Sequence, residues 1–153
     1  MDYSRYVNPQ IAAVPKSGIR KFFDIVQTMP GAISLGVGEP DFVTPYHIRN
    51  AAIESLLDGE TQYTSNAGKI SLRREIALYL QERYALTYDP GSEVLVTVGA
   101  SEGIDLALRA LLSPGDEVLV PEPSYVSYRP GVVFAGGVPV PIKTEECRNF
   151  VLS

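Results

Sequence analysis

Residues 94–112, VLVTVGASEGIDLALRALL, constrain the fold of this chain more than any other stretch. Val94, Leu95, Val96 and Val98 form a near-continuous apolar run, which suits a parallel strand covered on both faces. Gly99 ends the run. Ile104, Leu108 and Leu111, or Ile104, Ala107 and Leu111, then recur at helical spacing. The turn Gly99-Ala100-Ser101-Glu102-Gly103 between strand and helix carries no bulky side chain near its start. Its backbone N–H groups, unpaired in the first helical turn, can approach an anion closely. Ser101 adds a hydroxyl as cap or phosphate ligand.

The same five residues support two other readings. They match G-x-S-x-G, the nucleophile elbow of an α/β-hydrolase, in the strand-turn-helix setting that motif requires. That chemistry needs an acid and then a histidine after the serine, and the only histidine, His47, lies upstream. A serine without its base is a poor nucleophile at neutral pH. The third reading is a purely structural turn with a serine cap.

A chain of 153 residues is large enough for one domain and its core. Its net charge of −5 disfavours a nucleic-acid partner. The single cysteine, Cys147, cannot form an internal disulfide, and one histidine leaves no zinc-type cluster. The first ten residues, MDYSRYVNPQ, lack the apolar segment of a secretory signal, and no apolar run reaches membrane-spanning length. A cytoplasmic location is the default expectation.

Along the chain, residues 1–16 read as an extended arm in which Tyr3, Tyr6 and Val7 could cover an apolar patch. Ser17 can cap a helix in which Ile19, Phe22, Phe23 and Val26 share a face. Pro30-Gly31 stops it, and Ile33-Ser34-Leu35 forms a short extended piece. Gly36-Val37-Gly38-Glu39-Pro40-Asp41-Phe42 is not a dinucleotide fingerprint, because Asp41 replaces the third glycine and no helix follows directly. It reads instead as a rigid loop with an approachable backbone.

Thr44-Pro45 marks a helix start, and residues 46–57 place Ile48, Ala51, Ala52 and Leu56 inward. His47 falls in the first turn, as a solvated side chain. A polar loop containing Tyr63 leads to a second helix over 71–84, with Leu72, Ile76 and Leu80 inward and Arg73, Arg74, Gln81 and Glu82 outward. After the central helix come a strand over 118–120, a helical stretch from Ser124 to Ala135, and a strand over 138–142. Pro139 and Pro141 weaken that last strand's ladder unless their N–H positions face outward. Alternating helices and strands require a parallel sheet with right-handed crossovers. A sheet of three such strands leaves long open edges, so the chain reads as a domain cut in the middle.

Four motifs in order, LGVGEPDF with TP, QYTSNAGKISLRREIA, VTVGASEGIDLALRALLSPGDEVLVPEPSYVSY and FAGGVPV, resemble the N-terminal part of class I/II pyridoxal-phosphate aminotransferases. This is the aspartate aminotransferase-like group of fold type I, and the likeness runs from about Ser17 onward. It implies an α/β three-layer major domain with a mainly parallel sheet, present only as its N-terminal portion. Residues 1–45 would be an N-terminal arm and part of a small domain, and residues 46–153 the first part of the large cofactor-binding domain.

The resemblance also implies roles. Gly38 would lie against the substrate carboxylate. Ala100, Ser101 and Glu102 would form the cup for the phosphate of pyridoxal 5'-phosphate, with the Ala100 and Ser101 amides as donors. Tyr125 would stack on the pyridine ring, a flat π-face on a flat ring. Tyr63 would reach the cofactor phosphate of a neighbouring subunit, which implies a homodimer. The substrates implied are amino acids and 2-oxo acids.

The chain departs from the family pattern in what it lacks. Its four lysines, Lys16, Lys21, Lys69 and Lys143, do not stand in the serine-lysine motif whose lysine anchors the cofactor. The S-x-x-N-P-x-G segment, the aspartate for the pyridinium nitrogen, the tyrosine facing the phenolic oxygen and the carboxylate-gripping arginine are also missing. An N-terminal aminotransferase fragment, inactive alone, is the leading expectation. The alternatives are a non-catalytic phosphate-binding or assembly module and a carbon–sulfur lyase or acyl transferase of the same fold.

Overall fold

Two parallel strands, β1 (Glu117–Glu122) and β2 (Val138–Lys143), pair in register with Glu117 opposite Val138 and Val120 opposite Pro141. Both strands stand where the sequence places them. The Val138 N–H donates to Asp116 O and the Thr144 N–H to Glu122 O, each at 2.8 Å. Even-numbered positions of β2 therefore face β1. Residues alternate in the direction of their backbone groups, so Pro139 and Pro141 face away, where a missing N–H breaks no bond.

The computed structural model describes residues 4–31, 33, 38 and 40–152. These form two units, Met1–Pro30 with Val98–Ser153, and Gly31–Thr97. Tyr3, Ser34, Leu35, Gly36, Val37 and Glu39, part of the predicted arm, extended piece and loop, lie outside the described residues.

In the first unit, α6 (Tyr128–Phe134) packs on β1, on β2 and on α5 (Gly99–Leu111). Val120 and Val132 are buried at this junction, 3% and 2% exposed. Helix α6 starts at Tyr128, four residues later than the sequence suggests. Ser124 and Tyr125 stand instead in the loop leaving β1. Pro130 is the third helical residue, where its missing N–H falls among donors that have no intrahelical partner. On α5, Leu108 is half-buried as expected, but Leu111 remains 80% exposed.

The predicted extended arm contains helical turns at Ser4–Tyr6 and in α1 (Pro9–Ala12), which packs on α6. Asn8 caps α1, its side-chain oxygen accepting from the Gln10 N–H at 2.9 Å, and Pro9 takes the first helical position. Helix α2 (Gly18–Gln27) follows the predicted span, although Ser17 makes no side-chain cap bond.

The second unit holds α3 (Tyr46–Leu57) and α4 (Ile70–Tyr84). The first matches its predicted span, with Pro45 rather than Thr44 at the cap. Ile48 and Leu56, expected inward, are 52% and 64% exposed, because α3 does not pack on α4 within this unit. Arg73, expected outward, is buried beside Ala77. Its Nη1 donates to Gly91 O at 3.2 Å, and its aliphatic stem occupies the apolar position.

The apolar run at 94–98 forms no strand ladder. It bonds to the rest of the unit through, among others, the Val96 N–H to Ala67 O, 3.1 Å. A strand exists only beside a partner strand, and none among the described residues pairs with this segment. No helix of the described residues is long and apolar enough to cross a membrane.

Candidate active site

Helix α5 begins at Gly99, whose φ of +77° turns the chain sharply out of Val98. A side chain at that φ would be strained, and glycine is the residue that adopts it without cost. Apart from its chain neighbours and its own helix backbone, nothing lies within 4 Å of the point a Cβ on Gly99 would occupy. Ala100 and Ser101 follow, both exposed, in the first turn where backbone N–H groups have no helical acceptor.

Glu102 belongs to the same turn, and its carboxylate reaches back to accept the Val98 N–H. The acidic side chain thereby satisfies the donor just before the helix rather than those inside it. This reach-back resembles one half of a capping box. It leaves the Ala100 and Ser101 amides to an outside anion, which the helix dipole also favours.

Tyr125 is set by a different element. The loop from Pro123 to Ser127 leaves the carboxyl end of β1, and Tyr125 projects from it, 55% exposed. Its ring meets Tyr128 edge-on, centroids 5.7 Å apart and planes at 71°. The Tyr128 N–H donates to Tyr125 O at 3.1 Å. Arg129 Nη1 pairs with Glu122 Oε1 at 2.9 Å, and Thr144 closes the strand end by donating its Oγ1 to Glu122 O at 2.8 Å.

A cleft of about 880 Å³ opens here. One wall is Glu122 to Val126 with Arg129, at the carboxyl ends of both strands, and the other is the chain from Val14 to Gly18. In parallel α/β sheets the carboxyl ends of the strands are where ligands bind, and this volume suits a cofactor-sized molecule. Tyr125 lines the cleft, whereas Ala100, Ser101 and Glu102 do not. A row of first-turn amides and an exposed aromatic face in one unit fit a phosphorylated planar cofactor.

The other two predicted residues stand in the second unit. Gly38 is exposed, with open space where a Cβ would be. Tyr63 projects fully into solvent from the loop between α3 and α4. His47, in the first turn of α3, is exposed as expected. The sequence reasoning passed over the Glu122–Arg129 pair and Tyr128. The signal for the pair was the seven-residue interval between opposite charges on either side of a short loop that opens with Pro123.

The family model for aminotransferase class I and II matches residues 30–153. YugH, a Bacillus subtilis (strain 168) protein that carries an aminotransferase name, is 52% identical over 145 residues, covering 95% of this chain and 38% of its own length. The aspartate aminotransferase of Pyrococcus abyssi is 44% identical over 147 residues, 96% of this chain and 38% of that protein. Among solved structures, the aspartate aminotransferase of Thermotoga maritima superposes with a TM-score of 0.87 at 36% identity, covering 96% of this chain and 40% of that one. The chain thus spans about two-fifths of the length of the relatives it matches.

Proposed function

Because the chain belongs to the class I and II aminotransferases, we propose that it is the N-terminal part of an enzyme moving an amino group between an amino acid and a 2-oxo acid with pyridoxal 5'-phosphate. The observation that carries the reading is the helix start with exposed Ala100 and Ser101 in the same unit as an exposed aromatic at a strand-end cleft. Bound there, the cofactor supplies an electron sink for the bond broken at the substrate α-carbon.

This chain's residues bind and orient. The Ala100 and Ser101 amides hold the phosphate, and Glu102 fixes the turn by its bond to the Val98 N–H. Tyr125 covers one face of the ring and excludes water from it. Gly38 admits the substrate carboxylate against bare backbone. Tyr63 reaches the phosphate of a neighbouring subunit, so the working form is a cytoplasmic homodimer. The domains divide near residue 45, with the arm and part of a small domain before it and the large domain after it. The anchoring lysine belongs to sequence downstream of residue 153.

The test is borohydride reduction of the full-length protein followed by peptide mass analysis. A pyridoxyl group on a lysine beyond residue 153 is the expected result. No fixed cofactor on any lysine contradicts the proposal. The 153-residue chain alone is expected to show no transaminase activity, and measurable turnover by it contradicts the fragment reading.

A further inference from the structure

The loop that carries Tyr125 is held at three points. The Glu122–Arg129 ion pair joins its two ends, the Tyr128 N–H bonds Tyr125 O at 3.1 Å, and the Tyr128 and Tyr125 rings meet edge to face. The first two restrain backbone. Only the third acts on the side chain, which is otherwise half-open to the cleft and has two free torsions. Edge-to-face contact directs the positive ring edge of one tyrosine at the negative face of the other, so it favours particular tilts over others. The Tyr128 backbone is fixed as the first residue of α6, a helix anchored by buried Val132, and its side chain is less exposed than that of Tyr125, 38% against 55%.

We propose that Tyr128 is a positioning residue whose ring, packed edge to face with Tyr125, sets the tilt at which Tyr125 meets the cofactor ring. This rests on the reading above that Tyr125 stacks on the cofactor. Tyr128 needs its ring for the role and not its hydroxyl, since the contact is made by aromatic carbon and hydrogen. A loosely held Tyr125 still stacks, but over a wider range of angles, so binding weakens and the asymmetry imposed on the bound chromophore falls.

The test uses the full-length protein in three variants, Tyr128→Phe, Tyr128→Leu and Tyr125→Leu. The readouts are the dissociation constant for pyridoxal 5'-phosphate, from dialysis, and the circular dichroism of the bound chromophore. Tyr128→Phe is expected to match the parent in both. Tyr128→Leu is expected to weaken binding about three- to tenfold, the range that loss of an aromatic edge contact supports, and to reduce the dichroic band per bound cofactor. Should Tyr128→Leu fail to fold, Tyr128→Met removes the same ring with a more adaptable side chain.

Parent-like affinity and dichroism in the non-aromatic variant, with Tyr125→Leu impaired, overturns the positioning role alone. A phenylalanine variant as weak as the leucine one also overturns it, because the hydroxyl would then be the active group. Unchanged binding in Tyr125→Leu overturns the stacking reading and the positioning role with it.

Discussion

Arg129 Nη1 lies 2.9 Å from Glu122 Oε1, joining the second residue of α6 to the last residue of β1 across the loop that carries Tyr125. Both side chains are well exposed, 53% and 37%, so water screens the pair and its contribution to global stability is at most about 1 kcal/mol. Its effect is local. Arg129→Met is expected to change the urea unfolding free energy by less than about 1 kcal/mol, while speeding hydrogen exchange at residues 124–128. Exchange mass spectrometry checks it, and unchanged exchange in the loop contradicts it.

Ala100→Pro separates amide from side chain in the anion seat. Proline is tolerated in a first helical turn, and Gly99, the first residue of α5, has a φ of +77° outside the right-handed helical region, so α5 should persist. One N–H donor is lost. Hydrogen bonds to charged groups contribute about 1.5–3 kcal/mol, so cofactor affinity in the full-length protein should fall about 10- to 100-fold. Dialysis against pyridoxal 5'-phosphate measures it, with far-ultraviolet circular dichroism to confirm that the helix remains.

Gly68 and Gly59 share a positive φ, +93° and +79°, but not their surroundings. A Cβ on Gly68 would stand 2.7 Å from Val96 Cβ, whereas one on Gly59 meets nothing within 4 Å. Gly59→Ala should cost about 1 kcal/mol, the backbone penalty alone. Gly68→Ala adds overpacking against Val96 and should cost about 3 kcal/mol or more. Paired urea titrations distinguish the two, and equal losses contradict the assignment.

Two exposed carboxylates tie the second unit's stability to acid. Hydrogen bonding and charge from Lys69 hold Glu60 below its ordinary value of 4.5. The Ser92 hydroxyl, the Gly91 N–H and the Arg73 charge hold Asp89 below 3.8. A folded-state pKa below the unfolded one stabilises above the unfolded value, and the gain is lost as pH falls through the folded value. Stability should therefore be flat near neutrality and decline below about pH 4.5. Asp89→Asn should flatten the part of that decline below about pH 3.8, measured as the melting temperature across the acid range.

How much of this was legible in the sequence depends on whether a signal is local. Helix α3 matched its predicted span, Tyr46–Leu57, because its start and stop are written in Pro45 and in the Asp58-Gly59 turn. That Pro139 and Pro141 share one flank of β2 follows from period-two alternation, but which flank it is came only from the bonds of Val138 and Thr144 to β1. The run at 94–98 carried the apolar pattern of a strand, but a ladder is a property of two segments, and the second is not beside it. Arg73 misled because periodicity counts arginine as polar, while its stem packs like a hydrocarbon and its head finds Gly91 O. The Asn8-Pro9 start of α1 was a readable signal, masked by the expectation of an extended arm. For the site, each motif pointed to its own residue, but the clasp around Tyr125 required knowing that β1 and α6 return to the same place.

The prolines of β2 have one more consequence. With Pro139 and Pro141 turned away from β1, the outer flank of β2 lacks two of the donors a further strand would need. On β1 the odd-numbered positions face the opposite flank, where Glu117 and Leu119 keep both backbone groups and Pro121 lacks its N–H. The sheet is therefore polarised by degree, with two outward donors left on β1 against one on β2, so an additional strand is favoured on the flank of Leu119.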